Sequence, residues 1–345
     1  MARPRSTSVT LTDVARAAGV SLATASKALN ARAEVAPETR RRVLQAAEEL
    51  SFRPNALAKG LVSGRTHTVG LLIDELAERF AFPVLLGAEN ALGDEQNSVL
   101  LCDARGDAIR RRHHIQTLLA RQVDGLIVLG SDNDVRPSLT KDIPVPVVYV
   151  YGESDDPDDI SVLADDHGGA RLAAEHLVTL GRRRIGNLTG PRSYRAARER
   201  VAALHEVLRE AGLPLDCAEP MYGEWSQQWG RQATHALLAR DPAIDAIFCG
   251  NDQIAAGACE TLRDLGRDIP DDVAVVGYDN WEVFATECRP PLTTVDLNLA
   301  QLGATAVRYL LEAFDGRPTS GVVHQPGRLV IRQSTGVAHI RTRPS

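Results

Sequence analysis

The stretch VTLTDVARAAGVSLATASKALN, residues 9–30, limits what this chain can fold into more than any other. It holds two helix start signals with a hard stop between them. Thr10 reads as an N-cap with Asp13 three positions on, the spacing of a capping box and a good charge for the positive end of a helix. Val14, Ala17 and Ala18 give the first helix a small apolar face, and Gly19 breaks it where a sharp turn is needed. Ser21 caps a second helix whose inner stripe is Ala25, Ala28 and Leu29. Small inner residues let two helices cross closely, which predicts a helix-turn-helix. The outer side then carries Leu22, Ala23, Thr24, Ser26, Lys27 and Asn30, short side chains able to reach base edges in a major groove. A generic pair of packed helices satisfies the same spacing.

Pro37 and Glu38 open a third helix, with Val43, Leu44, Ala47 and Leu50 recurring on one face and Pro54 ending it. A short apolar-tipped segment, residues 55–61, precedes a Ser63-Gly64 linker. Charge separates this head from the remainder of the chain. The net charge is −6, but residues 1–65 hold 11 Lys and Arg against 5 Asp and Glu, whereas the rest holds 28 against 40. A basic head on an acidic body suits a nucleic-acid reader joined to a separate sensor.

From Thr68 onward, apolar runs alternate with helical stretches. Strands are expected over residues 69–73, 98–102, 125–129, 147–151, 185–188, 246–249 and 273–277. Helices are expected over 82–92, 108–120, 168–180, 196–211, 228–239, 252–265 and 298–314, with a return across both lobes at 322–329. Strands apolar on both faces, with helices between, imply two doubly wound parallel α/β lobes and a ligand cleft at the strand carboxyl ends. At 44% hydrophobic, the chain has enough apolar residues for real cores.

The TLTDVARAAGVS opening, TASKALN, the V-x-P-E-T-R start of the third helix and R-P-N-A-L-A-K-G-L together resemble the LacI/GalR family of transcriptional regulators. The resemblance implies a helix-turn-helix DNA-binding headpiece (1–54), a hinge helix and linker (55–66) and a two-lobed, periplasmic-binding-protein-like effector and dimerisation domain (67–345). It also implies a repressor whose operator affinity a small-molecule effector, expected to be a sugar, controls. The DNA-binding set it implies is Thr10, Leu11, Ser21, Leu22, Ala23, Thr24, Ser26, Lys27, Asn30, Asn55, Ala58 and Leu61. Lys27 is the strongest base-contact candidate, and Leu61 the apolar wedge in the minor groove.

In the body, GPRSYRAARERVAALHEVL brings Arg198 and Arg200 to a helix start. A cleft arginine can grip a diol or carboxylate through two parallel N–H bonds, and on residues alone both arginines would also serve as surface ion-pair partners. Arg200 matches the family's ligand arginine, although the usual glycine after it is Ala203. In FCGNDQIAAGA, Asn251 matches the ligand amide, while Asp252 is placed to cap the helix. Asp279, in VVGYDN, matches the ligand carboxylate. Trp225 matches an aromatic that stacks on a sugar ring, or is a core or lobe-interface tryptophan. Asp74 and Phe80 come after the first strand, where the family places cleft residues. Tyr151 stands where lac-type repressors carry an acid, and Leu299 where they carry an aromatic, which implies a different ligand.

The expected assembly is a homodimer on double-stranded DNA with a pseudo-palindromic operator. No heptad repeat in the tail supports a tetramerising helix. Five scattered cysteines without a C-x-x-C pair fit neither a disulfide framework nor a zinc site, and no cofactor or metal is expected. No stretch reads as an export signal or a membrane span, so a cytoplasmic, nucleoid-associated protein is expected. Two rival classes fit less well. A Rossmann-type enzyme lacks its G-x-G-x-x-G, P-loop or nucleophile elbow, and an exported sugar-binding transport protein would not carry the basic head.

Overall fold

The computed structural model describes residues 9–29, 34–52, 65–77 and 79–336. The chain divides into two compact units, Met1–His67 and Thr68–Ser345. Four residues of the expected DNA-binding set, Asn30, Asn55, Ala58 and Leu61, lie outside the described residues, as does the whole 55–61 segment.

The first unit holds α1 (Leu11–Ala17), α2 (Leu22–Leu29) and α3 (Pro37–Glu49). Asp13 accepts the Thr10 backbone N–H at 3.0 Å and its hydroxyl at 2.7 Å, which secures the start of α1. Gly19 turns the chain at φ +65°. The Ser21 hydroxyl accepts the Thr24 N–H at 3.1 Å and caps α2. Arg42, on α3, donates to the Ala18 carbonyl at 2.9 Å and so satisfies an orphan acceptor at the end of α1. The core joins Val14, Ala15, Ala18, Ala25, Ala28, Val43, Ala46 and Ala47. Two expected core positions differ. Ala17 faces solvent and Ala15 is buried in its place, while Leu44 is 49% exposed and Ala46 fills the inner position. Neighbouring candidates here are all small or apolar, so helical phase is weakly encoded in residue type.

In the second unit the N-terminal lobe is built from β1 (Thr68–Ile73), α4 (Ala81–Asp94), β2 (Ser98–Asp103), α5 (Ala108–Ala120), β3 (Gly125–Leu129), β4 (Val135–Arg136), β5 (Val147–Val150), β6 (Glu153–Ser154) and β7 (Ile160–Ala164). The chain then crosses to the C-terminal lobe. There it forms α6 (Asp166–Thr179), β8 (Ile185–Thr189), α7 (Arg195–Glu210), β9 (Met221–Tyr222), α8 (Gln227–Arg240), β10 (Ala246–Cys249), α9 (Asp252–Asp264), β11 (Ala274–Tyr278), α10 (Glu282–Ala285) and β12 (Thr293–Asp296). It returns as α11 (Leu299–Phe314) and ends in β13 (Gly321–Gln325) and β14 (Arg328–Val330), one strand for each lobe.

The first six-stranded sheet runs β13-β7-β5-β3-β1-β2 and the second β14-β12-β11-β10-β8-β9. Every pairing in the first is parallel; in the second only β14 on β12 is antiparallel. The expected doubly wound lobes are therefore present. The sheets also hold strands beyond the expected set. β7, β9 and β12 are additions, and the single return over 322–329 is two strands on different sheets. The central strands are apolar and buried on both faces. In each lobe, glycines let two helices close in face to face. A Cβ on Gly87 of α4 would overlap the Ala300 carbonyl of α11, and one on Gly230 of α8 would overlap the Ile254 carbonyl of α9.

Candidate functional site

In the first unit, the exposed face of α2 presents Leu22, Ala23 and Lys27, with Thr24 and Ser26 half-buried beside them. The Ser21 and Thr24 hydroxyls lie 2.8 Å apart, so both are committed to the cap that fixes the helix start. Lys27 Nζ forms an exposed ion pair with Glu34 at 2.5 Å. Thr10 is held by Asp13, and Leu11 leans into the core rather than outward.

In the second unit, the carboxyl ends of both sheets face one cavity of about 660 Å³. Its size is ordinary for a small-molecule site. Aromatic rings make up much of its wall. Phe80 and Tyr151, from the N-terminal lobe, pack with centroids 4.8 Å apart. Tyr194 and Trp225, from the C-terminal lobe, meet edge to face at 6.0 Å. Trp281 adds a further face. Polar groups converge from Ser131, Asp132, Asn133, Gln253, Arg79 and Arg200.

Arg200 is the most constrained of these, at 3% exposed. Being on α7 one turn past its start, it points back towards the cleft. Its Nε donates to Asp166 at 2.8 Å, its Nη2 lies 2.6 Å from the same carboxylate, and its Nη1 donates to the Gly250 carbonyl. The guanidinium sits 3.7 Å from the Tyr278 ring centroid and 5.7 Å from that of Trp225. Burial works against its charge, yet Asp166 and Asp279 hold its pKa above the ordinary range. Arg198, by contrast, is exposed and donates to the Arg192 carbonyl at 3.0 Å.

Asp279 comes directly after β11 and is buried. Arg79 donates to its Oδ2, and Arg200 Nη2 lies 3.7 Å from its Oδ1. Burial raises its pKa and the two arginines pull against that rise. Tyr151 and Asp279 both take positive φ, +62° and +100°. A side chain in that region costs of order 1–3 kcal/mol, and such strain concentrates where a site must aim a group. Tyr151 is fully enclosed, and burial pushes its hydroxyl pKa upward.

The sequence singles out eight body residues as effector contacts. Of these, Phe80, Tyr151, Arg200 and Trp225 line the cavity. Asp279 lies directly behind Arg79 and Arg200. The other three lie outside the lining, each for a visible reason. Asn251 is fully buried as the N-cap of α9, its carbonyl oxygen accepting the Ile254 N–H at 2.8 Å. Asp74 is occupied by Arg136 and by Arg111, the latter at 3.0 Å. Leu299 opens α11 and packs against the core. Asn251 thus takes the capping role expected of Asp252. Asp252 instead accepts the Thr294 hydroxyl at 2.6 Å and the Trp281 N–H at 2.7 Å. Burial, reinforced by Asp279, pushes its pKa up to about 8.

Sequence reasoning misses Arg79, Asn133, Asp166, Tyr194, Gln253 and Trp281. Asp166 comes after β7, a strand the sequence pattern does not announce. Trp281 lies two residues beyond Asp279, a neighbourhood that could have flagged it. Nothing in residue type marks Asn133. Among the described residues, no group of three or more His, Cys, Asp or Glu side chains is placed to hold a metal ion, and no helix is long and apolar enough to cross a membrane. Every cysteine is a free thiol, three of them buried.

Comparison with known proteins places both units. Residues 10–55 match the model for bacterial regulatory proteins of the lacI family, and residues 174–335 that for a periplasmic binding protein-like domain. The transcriptional regulator CelR of Thermobifida fusca is 34% identical over 344 residues, covering 97% of this chain and 98% of CelR. The lac repressor dimer bound to operator and the anti-inducer ONPF superimposes with a TM-score of 0.77 at 30% identity, over 96% of this chain and 100% of that one. A CelR–cellobiose complex superimposes at 0.64 and 31% identity, over 94% of this chain and 99% of that one.

Proposed function

This chain belongs to the LacI family of bacterial regulatory proteins, and from that premise we propose that it is an operator-binding repressor controlled by a sugar held between its two lobes. Its relatives are transcriptional regulators, not enzymes. The observation that carries the sugar reading is the cleft wall itself. Aromatic faces from both lobes surround a buried arginine that carries carboxylates on its other side. Pyranose rings offer apolar C–H faces to such rings and hydroxyls to such polar groups. The CelR–cellobiose complex supports the same class by likeness.

On the DNA side, the reading is a homodimer that sets two copies of α2 into successive major-groove half-sites, with Lys27 donating to a guanine edge. Residues 55–61 serve as the hinge, with Asn55 and Ala58 at the duplex and Leu61 wedged into the minor groove. Effector binding changes operator affinity by favouring one lobe arrangement over the other.

The test is capture of genomic fragments by the full-length protein, with and without a panel of mono- and disaccharides. Enrichment of an inverted-repeat sequence that one sugar alters supports the reading. Absence of any sequence preference, whatever sugar is present, overturns it.

A further inference from the structure

The Arg79–Asp279 pair spans the cleft, one partner from each lobe, and each leaves one atom without a hydrogen bond. Arg79 stands in the loop between β1 and α4, stacked 4.4 Å from the Phe80 centroid and 5.0 Å from that of Trp281. Its Nη2 donates to Asp279 Oδ2. Among the described residues, Arg79 Nη1 and Asp279 Oδ1 are buried and have no hydrogen-bond partner. The Arg200 Nη2, at 3.7 Å from Oδ1, gives it charge but not a bond. A buried polar group without a partner is costly, so two of them within one ion pair are not a neutral detail.

We propose that Arg79 is a ligand-binding and specificity-determining residue, whose Nη1 donates to a ligand hydroxyl while Asp279 Oδ1 accepts a hydroxyl proton from the same ligand. This rests on the sugar reading and sharpens it. An unpaired donor and an unpaired acceptor within one ion pair match a hydroxyl or a vicinal pair of them, which give and take a hydrogen bond together. A carboxylate satisfies Arg79 but meets Asp279 as a like charge. An apolar group satisfies neither. The donor belongs to the N-terminal lobe and the acceptor to the C-terminal lobe, so a hydroxyl bonded to both reads the closed cleft directly. The stacked guanidinium also fills part of the slot between Phe80 and Trp281.

The test is titration calorimetry of the full-length protein with glucose, cellobiose, glucuronate and hypoxanthine, then with monodeoxy analogues of whichever sugar binds. The Arg79→Ala and Arg79→Gln variants are run alongside, and their folding is checked by thermal unfolding. The expected result is a neutral sugar bound at least tenfold more weakly by Arg79→Ala than by the wild type. One monodeoxy analogue should lose a similar factor on the wild type and almost nothing further on the variant. The wild-type deoxy series needs no variant to fold. If the sugar binds both proteins equally and every deoxy analogue binds as well as the parent, the role of Arg79 falls while the sugar reading stands. If glucuronate is preferred and Arg79→Ala abolishes that preference, the hydroxyl assignment falls. If hypoxanthine alone binds, or nothing does, both readings fall.

Discussion

Asn133, in the N-terminal lobe, donates its amide N–H to Asp166 at 3.0 Å and accepts the Ala196 backbone N–H at 3.1 Å. One small side chain thereby joins the loop after β3 to the starts of α6 and α7 in the opposite lobe. The neighbouring Arg195 reinforces the joint through its N–H to Asp134 at 3.1 Å and its guanidinium to Glu153. Together with the Arg79–Asp279 pair, these contacts tie the two lobes to each other across the cleft.

Asn133→Ala leaves the Ala196 N–H and one Asp166 oxygen short of a partner at a buried seam. A loss of about 1–3 kcal/mol is expected, seen as a melting temperature lowered by several degrees. Small-angle scattering of the variant should show a more extended second unit than the wild type. Unchanged melting and unchanged dimensions would mean the seam does not govern closure.

Arg200 separates packing from recognition. Arg200→Ala strands the Asp166 carboxylate in a dry site, which costs of order 3–5 kcal/mol when one partner of a buried pair is removed. Arg200→Lys keeps the charge but not the flat fork that serves Asp166 and the Gly250 carbonyl together. The lysine variant should therefore stay folded in thermal melts while binding sugar at least tenfold more weakly in calorimetry.

Lys27 and Glu34 predict opposite outcomes at the DNA. Lys27→Ala should weaken operator binding by about 1–3 kcal/mol, the range for a good base contact. Glu34→Gln frees Lys27 from an exposed ion pair worth at most about 1 kcal/mol, so it should tighten binding modestly. Fluorescence anisotropy at two salt concentrations reads both. Operator affinity unaffected by Lys27→Ala would remove Lys27 from the base-reading set.

Asp252 sets a pH dependence of stability. Its folded pKa, about 8, lies above its ordinary value of 3.8, so the folded protein binds a proton that the unfolded chain releases. The stabilisation is full below about pH 4 and is lost as pH rises through about 8, with several kcal/mol at stake in all. Asp252→Asn imitates the protonated form. It should flatten the decline in melting temperature between about pH 4 and 8. A decline as steep as that of the wild type would show that another group is responsible.

The alternation of strands and helices was legible because central parallel strands must be apolar on both faces, and 69–73, 125–129 and 246–249 are. β12 was not legible, since its Thr293 and Thr294 are buried through hydrogen bonds to Arg332, Thr335, Ser334 and Asp252 instead of by being apolar. The return over 322–329 was legible as one run but not as two strands, because β13 alternates half-buried with exposed residues at a sheet edge and does not mark where it ends. The caps at Thr10 and Ser21 were legible because they act over three residues. Asn251 and Asp252 were not, because both are good cap residues and only the surroundings of the second, Thr294 and the Trp281 N–H, decide which one caps. Arg79 was hidden for a similar reason. Its partner lies 200 positions away.

The backbone passes between the lobes three times, after β7, after β12 and between β13 and β14. A single tether would leave one half free to swivel and slide against the other. Three tethers side by side behave like the leaves of a door hinge, leaving swing as the easy degree of freedom. Motion of one lobe against the other is thereby confined largely to that single swing.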